Sequence, residues 1–132
     1  MPFVRISTTG YDPAVTKAAG DCVHRAMVDT IDVPAADRFQ IVTAHAPGEM
    51  IWDRTFLGVD RSSDRAVFVH ITLARGRDED KKRALYAAIA HNLEDAGVRP
   101  ADVLVTLVEV ERSNWSFGNG IAQYTPGAPA SV

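Results

Sequence analysis

The residue best suited to chemistry in this 132-residue chain is its second, Pro2, which follows Met1 directly. Initiator methionine is commonly removed when the next residue is small, and proline meets that condition. Removal would leave Pro2 with a free secondary amine on a rigid ring. An α-amino group titrates near neutrality, at about 7.7–8.0 in model peptides. Such an amine can act as a base, as a charged acid, or as a nucleophile toward a carbonyl. A Met-Pro start is equally compatible with no chemistry at all, so the other candidates matter. Arg75 and Arg77 bracket Gly76 just ahead of an expected helix, whose N-terminus favours anions. The same two arginines stand beside Asp78, Glu79 and Asp80, which is also the pattern of surface ion pairs. Asp37 falls where a helix gives way to a strand, a common place for a turn aspartate. Trp115 and Phe117 can wall off a site or fill a core or subunit interface. Cys22 lies on an apolar helical face and reads as a small buried hydrophobe. His24, His45, His70 and His91 show no metal-ligand spacing, and no metal is assigned. Gly118 and Gly120 read as turn residues, since no strand-to-helix context makes them a phosphate loop.

The elements that must position these residues come in two similar sets. Pro2-Phe3-Val4-Arg5-Ile6-Ser7 lines up with Val67-Phe68-Val69-His70-Ile71-Thr72 at an offset of 65 residues, and Val33 to Asp37 lines up with Val98 to Asp102 at the same offset. Each set opens with a β-branched and aromatic run, the mark of a strand. A helix follows from about Asp12 to Ile31, with Asp12 as N-cap and Pro13 just inside. Its counterpart runs from a cap at Asp78 to about Ala96, with Gly97 as the stop. Further strands are expected at Arg38 to Ala44 and Asp102 to Val110. The plan is β-α-β twice, with pseudo-repeats of about 2–46 and 67–111 in one domain of residues 1–132. A helical crossover makes each strand pair parallel. Residues 47–65 would form a short hairpin or loop over the sheet edge. Within the tail 112–132, the stretch from Thr125 onward is expected to fray.

Composition sets bounds on function. Apolar residues make up 46% and charged residues 23% of the chain, an ordinary globular balance. A net charge of −3 with no basic run argues against nucleic acid as partner. No stretch approaches the roughly 18 apolar residues of a membrane helix. A single cysteine excludes an internal disulfide framework, and a cytoplasmic location is the simplest expectation. The strand with Leu104, Val105, Leu107, Val108 and Val110 is apolar on both sides, so both its faces are expected to be buried. Two helices cover one face only, which points to an oligomer.

A duplicated β-α-β plan with a Met-Pro start resembles the tautomerase superfamily. Three stretches are similar to its malonate semialdehyde decarboxylase family: Val33-Pro-Ala-Ala-Asp37-Arg38-Phe39-Gln40-Ile41-Val42, Ala74-Arg75-Gly76-Arg77, and Asn114-Trp115-Ser116-Phe117-Gly118-Asn119-Gly120-Ile121-Ala122-Gln123-Tyr124. The resemblance runs from Pro2 to about Tyr124. It implies an α/β (α+β) fold with a four-stranded mixed sheet and two helices on one face, assembled as a homotrimer. It implies that Pro2 is catalytic with Asp37 as acidic partner, that Arg75 and Arg77 bind a substrate carboxylate, and that Trp115 and Phe117 form an apolar wall. No cofactor is implied. The implied activity is decarboxylation of malonate semialdehyde or a related short 3-oxo acid. A tautomerase or hydratase of 2-oxo acids is the alternative with the same proline. A binding or signalling protein that keeps the fold without catalysis is the alternative of another class. Gly76 stands where a member of that family carries proline, and two extra residues fall between Arg61 and Arg75, so the loop beside the site departs from the pattern.

Overall fold

A computed structural model describes residues 1–129. Strand β1 spans Pro2–Thr9, helix α1 Pro13–Ile31, β2 Phe39–His45, β3 Ala66–Ala74, helix α2 Glu79–Asp95 and β4 Val103–Val110. The strands form one four-stranded sheet in the order β2-β1-β3-β4. β1 pairs parallel with β2, β3 pairs parallel with β4, and the central β1–β3 pair is antiparallel. The two parallel ladders share a register: Phe3 faces Phe39 and Phe68 faces Leu104, the same pairing displaced by the 65-residue offset seen in the sequence.

The core is the layer between this sheet and the helices. Val4 and Ile6 of β1 and Val67, Val69, Ile71 and Leu73 of β3 alternate inward, as period-2 side chains must. They meet Ala19, Val23, Ala26 and Met27 of α1 and Leu85, Ile89 and Leu93 of α2, all essentially buried. The helices are joined through Cys22 and Asn92: the Asn92 amide donates to the Cys22 carbonyl at 3.0 Å, and the Cys22 thiol donates to the Asn92 carbonyl. Burial pushes the Cys22 thiol above its ordinary pKa, in keeping with an inert packing role.

The helix ends show how local sequence sets geometry. Asp78 caps α2 as its sequence suggests, accepting the Lys81 backbone N–H. Gly97 closes that helix at φ 101°, its N–H donating to Glu94 and that of Val98 to Leu93, a Schellman arrangement. Asp12 differs from expectation. Its side chain makes no capping bond; only its carbonyl accepts, from Val15 and Thr16, and Pro13 at the first helical position leaves one N–H fewer to satisfy. β2 and β4 each start one residue later than the sequence suggested, β4 after a 3-10 turn at Pro100–Asp102.

Residues 47–65 form an irregular loop with a 3-10 turn at Phe56–Gly58, not a hairpin. Trp52 anchors it, donating to the Ser62 carbonyl at 2.7 Å and meeting Phe68 edge-on. The tail stretch expected to fray is turned and hydrogen-bonded as far as it is described, with Thr125 N–H to Ala122 and Ala128 N–H to Thr125; its residues 130–132 lie outside the described residues. The second face of the sheet is open, so the expected burial of both faces of β4 does not hold within one chain. Leu104 and Val108 of β4 and Phe39 and Ile41 of β2 lie on it, each more than two-fifths exposed. No helix among the described residues is long and apolar enough to cross a membrane.

Candidate active site

One end of the sheet collects the residues singled out from the sequence. β1 and β2 begin there and β3 and β4 finish there, with Pro2 opposite Leu73 and Ala74 opposite Val110. Pro2 is the first residue of its strand, a position that tolerates a missing N–H. The Met1 ammonium lies 3.8 Å from Asp37 Oδ2. Its pKa is held below the ordinary α-amine value chiefly by partial burial; Asp37 opposes that shift, and the charges of Arg77 and Arg112 add to it.

Asp37 reaches this end from the turn between α1 and β2. That turn is fixed by His24, a buried residue of α1 that hydrogen-bonds through Nε2 to the Ala35 carbonyl at 2.8 Å. Asp37 is itself buried, and neither carboxylate oxygen has a hydrogen-bond partner. Burial raises its pKa, while the nearby ammonium, His24 and Arg77 pull it down. An unsatisfied buried carboxylate is costly, and such groups concentrate where chemistry needs them.

The equivalent position in the second half of the chain, Asp102, has the opposite surroundings. It accepts from the Tyr11 hydroxyl, from the Ser62 backbone N–H at 2.8 Å and from the Ser62 hydroxyl at 2.8 Å. Despite its burial, those bonds hold Asp102 below the usual carboxylate range, and burial beside Asp102 pushes the Tyr11 hydroxyl up to about 12.

The two arginines part company. Arg77 turns inward: Nε and Nη2 donate to the Ile31 carbonyl at 3.3 and 3.1 Å, and Nη1 donates to the Ala74 carbonyl. It has no carboxylate within ion-pair distance among the described residues. Arg75 turns outward, 62% exposed, and is paired with Glu111. Both line a cleft of about 260 Å³, with Lys81, Arg112 and the Gly76 backbone between them. Gly76 has φ 132°, a conformation closed to proline, so this turn takes its own path through the loop where the sequence departs from the family.

Trp115 and Phe117 lie parallel, ring centroids 5.4 Å apart. With Phe3 and Phe39 they line a second cleft of about 360 Å³. Gln123 staples their loop, accepting the Phe117 N–H at 2.9 Å and donating to the Gly118 carbonyl. Gly118 and Gly120 take positive φ, as turn residues do. Tyr124 joins the two clefts: its ring meets Phe117 edge-on at 5.2 Å and carries the Arg112 guanidinium 5.5 Å from its centroid. Burial first, then the charge of Asp37, raises the Tyr124 hydroxyl pKa. Pro2, Asp37, Arg77, Trp115 and Phe117 therefore gather at one end, and Arg75 sits at the rim. Sequence reasoning missed Phe39, Arg112 and His24 as parts of this region. Phe39 and His24 carried the ordinary signals of strand and helix, and Arg112 carried none. Among the described residues no cluster could hold a metal ion.

A buried carboxylate beside an amine, with a guanidinium and an aromatic wall, is suited to binding a carboxylate-bearing carbonyl compound and moving a proton at it. Comparison with known proteins agrees with that kind of site. The family described as "Tautomerase enzyme" matches residues 37–118. The probable tautomerase YusQ of Bacillus subtilis strain 168 is 35% identical over 125 residues, 93% of this chain and 98% of the relative. The FG41 malonate semialdehyde decarboxylase, solved after inhibition by 3-bromopropiolate, is 38% identical with a TM-score of 0.86, covering 92% of this chain and 93% of that one. A malonate semialdehyde decarboxylase studied for decarboxylase and hydratase activities is 40% identical with a TM-score of 0.82, covering 92% and 95%. The fold, the span of the matches and their identities agree: this chain belongs to the tautomerase family.

Proposed function

We propose that this protein is a cofactor-independent decarboxylase of malonate semialdehyde or a related short 3-oxo acid, working through Pro2 after removal of Met1. The observation that carries the reading is the amino terminus beside a buried, unsatisfied Asp37, with the charge of Arg77 acting on both. Similarity at 38–40% identity to malonate semialdehyde decarboxylases supports the substrate class. Pro2 in its protonated form donates a hydrogen bond to the aldehyde oxygen, and Asp37 favours that charged form. Arg77 at the inner wall and Arg75 at the rim draw the carboxylate by charge-assisted bonds. The bond between the carboxylate carbon and its neighbour breaks, and its electron pair passes to the carbonyl to give an enolate stabilised by the ammonium. Carbon dioxide leaves along the wall of Trp115 and Phe117, and a proton added at carbon completes acetaldehyde.

A specific observation favours a second reading. The Met1 amine of the unprocessed chain is pushed down by burial, so this end of the sheet favours a neutral amine, which suits a base better than an acid, and YusQ is named a probable tautomerase. On that reading neutral Pro2 moves a proton between carbon and oxygen of a 2-oxo acid, or activates water for hydration. We further take residues 1–132 as one cytoplasmic domain of two pseudo-repeats. We take it to assemble as a homotrimer, which the open apolar sheet face supports. The deciding experiment is intact mass spectrometry followed by product analysis. Loss of Met1 with carbon dioxide and acetaldehyde formed from malonate semialdehyde supports the first reading. Isomerised or hydrated acid supports the second. A chain that retains Met1 and still turns over substrate would defeat both.

A further inference from the structure

The cleft beside the amino terminus holds a cation that neither the sequence pattern nor the arginine pair explains. Arg112 opens the 3-10 turn at Arg112–Asn114, two residues after the end of β4 and three before Trp115 of the aromatic wall. It lines the same cleft as Arg77. Of the four cations there, two are neutralised by ion pairs: Arg75 by Glu111 and Lys81 by Asp32. Arg77 and Arg112 have no carboxylate within 4 Å among the described residues. Arg77 is fixed by the carbonyls of Ile31 and Ala74, and Arg112 is held over the Tyr124 ring. Both act on the amino-terminal charge and on Tyr124, whereas Arg75 acts on neither.

We infer that Arg112 is a specificity-determining residue of the site, holding the substrate carboxylate together with Arg77 at the inner wall, with Arg75 at the rim. The inference deepens the proposed function and rests on its placement of substrate at the amino terminus. Charge counting supports it. Arg77 and Arg112 exceed the single negative charge of Asp37 by one, which one substrate carboxylate cancels whatever charge the amine carries. Replacing Arg112 by a neutral group removes that surplus. A cation stacked on an aromatic ring keeps its edge N–H groups free for a carboxylate.

The test compares Arg112→Met, Arg112→Lys, Arg77→Met and Arg75→Met in the full-length protein. The exposed position of Arg112 makes misfolding a minor concern, and the lysine variant controls for it. Two readouts are taken: kcat and KM on a short 3-oxo or 2-oxo acid and on its methyl ester, and the dissociation constant of pyruvate by ligand-observed NMR. Arg112→Met is expected to raise KM for the acid, and the pyruvate dissociation constant, about 10- to 100-fold. The ester should be unaffected, and Arg112→Lys should recover part of the loss. Unchanged acid-over-ester preference and unchanged pyruvate binding in Arg112→Met would overturn the inference while leaving the proposed function standing. If the wild-type protein turns over none of these compounds, the proposed function fails, and pyruvate binding then decides Arg112 by itself. Loss in Arg112→Met supports the inference; equal binding, or none to the wild type, rejects it.

Discussion

At the scale of single residues, Asp37 sets function against stability. Its pKa is raised by burial. A carboxyl raised in the folded state contributes stability fully present below its unfolded pKa, and that contribution is lost as pH rises through the folded value. The protein therefore spends stability at neutral pH to keep Asp37 ionised. Asp37→Asn should abolish most activity yet raise stability at pH 7 by about 0.5–2 kcal/mol. That gain should shrink toward zero near pH 4, as urea melts across that range would show. The two arginines predict a contrast as well. Arg77 donates to carbonyls at the ends of α1 and β3, so Arg77→Met should cost about 2 kcal/mol of stability and cut kcat/KM about 30-fold or more. Arg75 shares an exposed ion pair, and Arg75→Met should cost less than about 0.5 kcal/mol; thermal melts of the two variants side by side would check this. The sequence could not separate them, because their orientations depend on Gly76 and on where α1 ends. Asp37 became a site candidate only through the family resemblance. Its missing hydrogen bonds are a property of packing, visible in no spacing.

At the scale of elements, most of the plan was legible because local rules and tertiary demands agree. Period-2 runs became β1 and β3, and apolar periodicity gave both helices. The one misjudged cap leads to a quantitative test. Asp78→Ala should destabilise by about 1 kcal/mol, since its side chain accepts the Lys81 N–H. Asp12→Ala should cost less than about 0.5 kcal/mol, because its side chain caps nothing; chemical denaturation of both variants would show the difference. Where the 47–65 loop rejoins β3, Gly10 is needed for space and for conformation. It has φ 74°, and a Cβ there would stand 2.1 Å from the Asp64 carbonyl oxygen. Gly10→Ala should cost about 3 kcal/mol, measurable by the same melts. The loop itself was less legible. Its path depends on Trp52 reaching Ser62 and on Ser62 reaching Asp102, contacts across tens of residues that no local pattern encodes.

At the scale of the whole molecule, the open sheet face is the unfinished part. Phe39, Ile41, Leu104 and Val108 leave an apolar surface of the kind that monomers seldom keep. Sedimentation equilibrium should give three chains per particle at micromolar concentration. Ile41→Lys with Leu104→Lys should shift it to monomer or render it insoluble. A wild-type monomer would remove the assembly from the proposal. The sequence exposed the need for a cover through the doubly apolar β4 and pointed to an oligomer as its source, while the number three came only from the family resemblance.

The repeated register gives the two ends of the sheet equivalent places in the same chain. Asp37 and Asp102 occupy equivalent places 65 residues apart, one bare and one wrapped in hydrogen bonds from Tyr11 and Ser62. Asp102 is sealed by the Tyr11 hydroxyl, by the Ser62 backbone N–H and hydroxyl and by Arg99 at 3.6 Å, where Asp37 has a chain terminus beside it. A circular permutant opened just before Val67, with Tyr11→Phe and Ser62→Ala, would bring a new amine to the sealed carboxylate. Reactivity appearing at that second terminus would mean that a carboxylate beside an amine is enough to activate it, and an inert terminus would mean that the cations near the first end are needed as well.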